Sequence, residues 1–187
     1  MVKSKKINVG ISIGDPNGIG IEVMLKALSD RPSKDNCNFI IYSSYELIVN
    51  QTKDLNINSL PLKTITSFDE ISSNSINIKE VFTESKYEFG VFDKLVSKNA
   101  IISFKEAVKD ASDKKIDVLI TSPINKNLSY SESFKYSGHT DYLRHYFNEE
   151  PIMLMVSKKL KVGLLTEHIA LKDVVHNITA EKTTKKL

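Results

Sequence analysis

Residues 7–30, INVGISIGDPNGIGIEVMLKALSD, hold a strand, a glycine-rich turn and a helix in direct succession. The run INVGISIG (7–14) is rich in β-branched residues and closes on an Asp-Pro turn, the pattern of a buried strand. Beyond the turn, Ile21, Met24, Leu25 and Leu28 recur at spacings of three and four, which places them on one face of a helix. Glu22 lies in the first turn of that helix, where the dipole favours a negative charge. The turn between them, GDPNGIG (14–20), matches neither common phosphate loop. The P-loop needs four residues between its glycines and then Lys, yet Gly14 and Gly18 are closer and neither Gly18 nor Gly20 precedes Lys. The dinucleotide fingerprint Gly-x-Gly-x-x-Gly is absent as well. Two readings stand side by side. Either the glycines and Pro16 only make a sharp turn, or backbone amides at the helix start face a ligand.

The same alternation continues outward. NFIIYSS (38–44) is a second strand, YELIVNQTKDL a helix, and LPLKTI a third strand. Residues 66–88 are polar and weakly periodic, which suggests a long loop or a pair of edge strands. Residues 91–112 carry a long helix with Val91, Leu95, Ile102 and Ala107 toward one side. IDVLITSP (116–123) has almost no polar alternation, as in a strand of a sheet covered on both faces. GHTDYLRHYF (138–147) starts another helix, PIMLMVS and KVGLLT are adjacent strands, and IALKDVVHNI is a short helix. Thr179 is placed to cap a last helix of a turn or two. Strand-helix alternation of this kind implies an α/β fold with a parallel sheet and helices on both faces.

Composition sets the outer limits. The chain has 187 residues, 41% hydrophobic and 26% charged, enough for one good-sized core or two small ones. Its 26 basic and 23 acidic residues give a net charge of +3. That charge is mild and the lysines are scattered, so nucleic acid is not an expected partner. Cys37 is the lone cysteine, which excludes an internal disulfide and a cysteine-based zinc site. The apolar part of the N-terminus is too short for a signal peptide, and no stretch approaches the ~20 apolar residues of a membrane span. A cytoplasmic protein without a membrane partner is expected.

In parallel α/β folds ligands bind where strands end and helices begin. Three loops occupy such places, GDPNGIG, TSPINK and TEHIAL, and the helix start SGHTDYL is a further candidate. Besides the glycine-rich turn, TSPINK (121–126) offers the hydroxyls of Thr121 and Ser122 and the ammonium of Lys126, a set able to receive an anion; the alternative is a solvated lysine after an ordinary turn. SGHTDYL places His139 and Thr140 at a helix start, where both can hydrogen-bond a phosphate or carboxylate, or else serve only as a surface residue and a cap. TEHIAL puts His168 at the end of a strand. Neutral histidine is the commonest metal ligand, but a lone histidine is more often structural. No His-x-x-x-His or Glu-x-x-His spacing occurs, and a catalytic metal takes about three protein ligands.

Taken in order, GDPNGIGIE, TSPINK, SGHTDYL and TEHIALKDV resemble the N-terminal half of the 4-hydroxythreonine-4-phosphate dehydrogenase family. The resemblance implies the α/β fold of isocitrate and isopropylmalate dehydrogenases: two α/β domains around a cleft. Here the first covers 1–125 and lacks its C-terminal return, and the second starts at 126 and is cut short. It implies NAD-dependent oxidation and decarboxylation of 4-phosphooxy-threonine to 3-amino-2-oxopropyl phosphate in pyridoxal 5′-phosphate biosynthesis, with threonate or erythronate 4-phosphate as the rival substrates. NAD (or NADP) and a divalent metal (zinc, magnesium or cobalt) are the implied cofactors. By motif, His139 and Thr140 match the substrate-binding pair and His168 the first metal-binding histidine; Lys126 matches a loop lysine of unassigned role. Ile21, Ser122, Asp141 and Ala170 depart from the family pattern. Its members run to nearly twice this length, so two metal histidines and further substrate contacts fall outside the chain. The family also builds its site across a homodimer. The chain by itself is therefore expected to be an incomplete, catalytically inactive form, with an open sheet edge and low solubility.

Overall fold

The computed structural model describes residues 6–30, 36–57, 60–126 and 134–186. The chain divides into two compact units, Met1–Gly138 and His139–Leu187.

The first unit is built on a parallel sheet. Its elements are β1 (Ile7–Ser12), α1 (Gly20–Ser29), β2 (Cys37–Ser43), α2 (Tyr45–Asp54), β3 (Leu62–Ile65), β4 (Ile76–Glu80), α3 (Lys94–Ser112) and β5 (Val118–Thr121). The strand order is β3-β4-β2-β1-β5. Register aligns Ile11 with Ile41 on one side and Ile120 on the other, and Ile41 with Ile78. Side chains alternate across a strand, so the two faces separate cleanly. Val9, Ile11, Ile41 and Ile78 pack under α1 and α2 with Ile21, Leu25, Leu47 and Ile48. Ile40 and Tyr42 point the other way, toward Ala107 of α3 and Ile116.

Two polar devices fasten α3 to the sheet. Ser103 Oγ accepts from Ile13 N at 3.1 Å and donates to the Tyr42 carbonyl at 2.6 Å. Asp110, with 1% of its side chain exposed, takes hydrogen bonds from Lys79 at 2.5 Å, Lys115 at 3.2 Å and the Tyr42 hydroxyl at 3.0 Å. Burial works to raise the Asp110 carboxyl, but the bonds from Lys79 and Tyr42 outweigh it and hold it below its ordinary value. Burial first, and the Asp110 charge second, push the Tyr42 hydroxyl well up.

The helix face read for α1 is the buried one: Ile21, Met24, Leu25 and Leu28 all face the core. Three expectations are corrected. Residues 66–88 are neither one unbroken loop nor a pair of edge strands: β4 (Ile76–Glu80) lies among them and sits inside the sheet between β3 and β2, while 81–88 are irregular. Its polar Asn77 is fully buried and satisfied, accepting from Ser72 N and donating to the carbonyls of Phe39 and Ser72. The long helix starts at Lys94, capped by Asp93, whose carboxylate accepts from Leu95 N and Val96 N. That start leaves Val91 outside and Leu95 80% exposed; Val96, Ala100, Ile101, Phe104, Ala107 and Val108 form the buried face. Finally, β5 is not covered on both faces. It is an edge strand, with Val118 and Ile120 nearly half exposed, and an apolar trough of about 540 Å³ runs between Ile120 and Ile19, Val23 and Ala27.

The second unit contains α4 (His139–Phe147), an antiparallel hairpin of β6 (Leu154–Val156) and β7 (Lys161–Gly163), a 3-10 turn at Leu171–Asp173, α5 (Val174–Asn177) and α6 (Ala180–Lys186). Thr179 caps α6, accepting from Lys182 N at 3.2 Å. Among its described residues only Tyr142 is buried.

Candidate functional site

The two loops that leave β1 and β5 meet at the carboxyl end of the sheet. Asp15 N donates to the Pro123 carbonyl at 2.9 Å, and Ser122 N donates to the Ser12 carbonyl at 3.0 Å. Gly14 has φ +68°, and a Cβ there would collide with the Pro123 carbonyl oxygen while lying 2.8 Å from the Ser122 carbonyl carbon. At Gly20 a Cβ would approach the Ser122 Cβ to 2.9 Å. Both glycines are thus required by the close crossing of two backbones.

Polar groups of the turn face inward. Asn17 N donates to Asp15 Oδ1 at 3.0 Å and Gly18 N to the Asp15 carbonyl at 3.0 Å. Asp15 Oδ2 accepts from Ser97 Oγ at 3.3 Å, and the Pro16 carbonyl accepts from Gln51 Nε2 at 2.8 Å. The amides of residues 15, 17 and 18 are therefore taken by the protein itself, and this part of the turn is a steric junction between two loops.

A third segment closes the site. Residues 81–93 join β4 to α3 as a long strap without regular structure, a length at which loops usually serve a function. Tyr87 anchors it, donating to Asp54 Oδ2 at 2.5 Å; burial and that carboxylate push the phenol up to about 12. Asn17 anchors it again with three bonds, described below. The junction, the strap and the start of TSPINK enclose a cleft of about 380 Å³ whose walls include Asn17, Ile19, Val91, Phe92, Pro123 and Asn125. Thr121 is exposed and Ser122 buried, and Lys126 is exposed, with its Cε 3.5 Å from where a Cβ would stand on Gly138.

His139, Thr140 and His168 all fall in the second unit. His139 is the first residue of α4 and half-buried, and Thr140 is exposed beside it. His168 follows β7 in an exposed loop with φ +55°. Positive φ is uncommon outside glycine. Among the described residues the other left-handed non-glycine positions, Asn56, Lys114 and Asn148, each follow a helix end, where a left-handed residue closes the last turn. His168 follows a strand and has no such reason. Beside it, Thr166, Glu167 and Ile169 line a cleft of about 440 Å³ together with Arg144, Lys182 and Lys186. Among the described residues no three His, Cys, Asp or Glu side chains converge as a metal group requires, and no helix is long and apolar enough to cross a membrane.

Residues 35–187 match the family described as pyridoxal phosphate biosynthetic protein PdxA. The chain belongs to this family. It is 38% identical over 182 residues to a 4-hydroxythreonine-4-phosphate dehydrogenase of Sulfurihydrogenibium sp., covering 97% of this chain and 56% of that protein. It is 31% identical to one from Bacteroides thetaiotaomicron, over 100% and 52% respectively. Relatives from Clostridium botulinum, 29% identical, carry the provisional name D-threonate 4-phosphate dehydrogenase. The crystal structure of a 4-hydroxythreonine-4-phosphate dehydrogenase from Burkholderia phymatum shares the fold, with TM-score 0.85 at 24% identity over 97% of this chain and 56% of that one. The chain spans about half the length of the curated PdxA relatives it matches.

Sequence reasoning passed over Asn17 and the strap at Glu88–Phe92. Neither carries a recognisable local motif. The one available signal was a long stretch without periodicity between two strong elements.

Proposed function

We propose that the chain supplies one portion of a dehydrogenase that oxidises a small 4-phosphorylated hydroxy acid with NAD (or NADP), acting on 4-phosphooxy-threonine. The observation that carries this reading is the family membership together with the convergence of the β1 and β5 loops on one cleft at the carboxyl end of a parallel sheet. The cleft suits the flat, uncharged part of a nicotinamide cofactor. Its walls are largely apolar or amide, and Asp15 is turned inward onto Asn17 N and Ser97. When bound, that cofactor accepts the hydride from the substrate alcohol. Residues of this chain shape the pocket, line its rim with the apolar side chains of Ile19, Val91 and Phe92, and fix the junction through Gly14.

His139 and Thr140 are assigned to binding the substrate at the start of α4, and His168 to a divalent metal such as zinc, magnesium or cobalt. The left-handed backbone at His168 supports a functional role, since strain without a structural reason gathers at working sites. One exposed histidine does not hold a metal, however, and the described residues offer no second and third ligand. No metal step is derived from this chain. A two-domain cleft of the isocitrate dehydrogenase type, a homodimer and a cytoplasmic location belong to the same reading.

Formation of NADH is followed with NAD, a divalent metal and each 4-phosphate in turn. The expected outcome is no turnover by the 187-residue chain. A version extended by a relative's C-terminal portion is expected to be active, with faster turnover of 4-phosphooxy-threonine than of D-threonate 4-phosphate. Turnover by the short chain would refute the idea that it is incomplete, and an extended chain inert on both substrates would refute the dehydrogenase assignment. The second substrate is retained because relatives carry both names.

A further inference from the structure

Asn17 is 5% exposed and lies inside the glycine-rich turn, yet its bonds reach residues 71 to 74 positions away. Its Oδ1 accepts from Glu88 N at 2.9 Å, its Nδ2 donates to the Val91 carbonyl at 2.9 Å, and its own carbonyl accepts from Gly90 N at 2.9 Å. A carboxamide is needed for this, because one end must accept and the other donate. The bonds pin three residues of the strap, Glu88, Gly90 and Val91. The next residue, Phe92, is 79% exposed although it borders the cleft. An aromatic ring left so open at the mouth of a pocket, and held there by a buried amide, has the form of a stacking platform.

We propose that Asn17 is a positioning residue for the cofactor: it holds the strap so that the ring of Phe92 lies against the planar heterocycle of the bound nucleotide. This rests on the dehydrogenase reading above. Asn17 acts through Phe92 and is itself too buried to supply more than an edge of the wall.

Titration of the intact chain with NADH, read by cofactor fluorescence, tests it. Asn17→Ala and Phe92→Leu each weaken NADH about tenfold, the size expected for loss of one aromatic stack. The double variant is no weaker than either alone, because both remove the same contact. Ser103→Ala removes two buried hydrogen bonds elsewhere in the unit and leaves NADH affinity within about twofold, which separates positioning from general loss of stability. Asn17→Asp keeps the acceptor but turns an oxygen toward the Val91 carbonyl, and fails to restore binding. Phe92→Trp adds the chain's sole tryptophan, and its emission is quenched by bound NADH. Where Asn17→Ala does not fold, the exposed-site variants Phe92→Leu and Phe92→Trp decide the matter by the same readings. Wild-type affinity in Asn17→Ala or Phe92→Leu, or additive losses in the double variant, overturns this proposal alone. A wild-type chain that binds no NADH overturns the cofactor reading and this proposal with it.

Discussion

Replacing Gly14 by alanine tests whether the β1 and β5 loops cross as closely as described. Two costs combine. An L-residue at φ +68° carries about 1–2 kcal/mol of left-handed strain. The new Cβ also drives the Pro123 carbonyl away and breaks its bond from Asp15 N, 2.9 Å long, leaving a buried amide unsatisfied for about 1–3 kcal/mol. The sum is about 2–5 kcal/mol. Two glycines of the same site provide internal controls. Gly90 has φ +77° but nothing within 4 Å of its Cβ position, so Gly90→Ala carries the strain alone, about 1–2 kcal/mol. Gly18 is not left-handed and its Cβ would make only a 3.4 Å approach to the Asp15 carbonyl, so Gly18→Ala stays within about 1 kcal/mol of wild type. Urea unfolding followed by far-ultraviolet circular dichroism measures all three. With a slope of about 2 kcal/mol/M, Gly14→Ala moves the midpoint down by about 1–2.5 M. A Gly14→Ala midpoint no lower than that of Gly90→Ala refutes the crossing.

Asp110→Asn removes the charge shared by two lysines and one of its two acceptor oxygens, and destabilises the first unit by about 2–3 kcal/mol in urea titrations near neutral pH. The folded Asp110 pKa is depressed, so its stabilisation is complete above the unfolded value of about 3.9 and fades as pH falls through the folded one. The gap between wild type and Asp110→Asn should therefore narrow progressively as pH falls below about 4, and a gap constant down to about pH 2 contradicts the ion-pair account. His168→Gly relieves left-handed strain and stabilises the second unit by about 1 kcal/mol, read as slower amide exchange there; unchanged or faster exchange counts against a strained backbone. Ile120→Lys places a charge on the open face of β5 and slows aggregation of the isolated chain in light scattering. Equal aggregation rates would clear that edge of responsibility.

Periodicity was legible at α1, where one face meets the core, but not at α3, whose expected face included the exposed Leu95. Ile21, Met24, Leu25 and Leu28 announced α1 because burial selects the spacing of three and four. β4 escaped notice because its buried Asn77 mimics a loop residue; only the tertiary bonds to Ser72 and Phe39 make it tolerable inside the sheet. The apolar run around Val118 and Ile120 revealed a strand built for burial, but composition does not show whether a cover is present. At the site, Gly14 and Gly20 were visible as punctuation. Their shared cause was not, because the atoms they avoid belong to residues 122 and 123. Asn17 is the extreme case: its partners at 88, 90 and 91 leave no local trace around position 17.

The central place of β1 has a price in time. It leaves the ribosome before β5, yet it lies between β2 and β5, and Asp117, which flanks β5, meets Asn8 across a separation of 109 residues. At a synthesis rate of about 5–20 residues per second, the far side of β1 stays without its neighbour for about 5–20 s. During that interval the nascent sheet presents a bare, apolar flank to every other chain nearby, so this protein's yield in a cell should track the supply of chaperones that shield it.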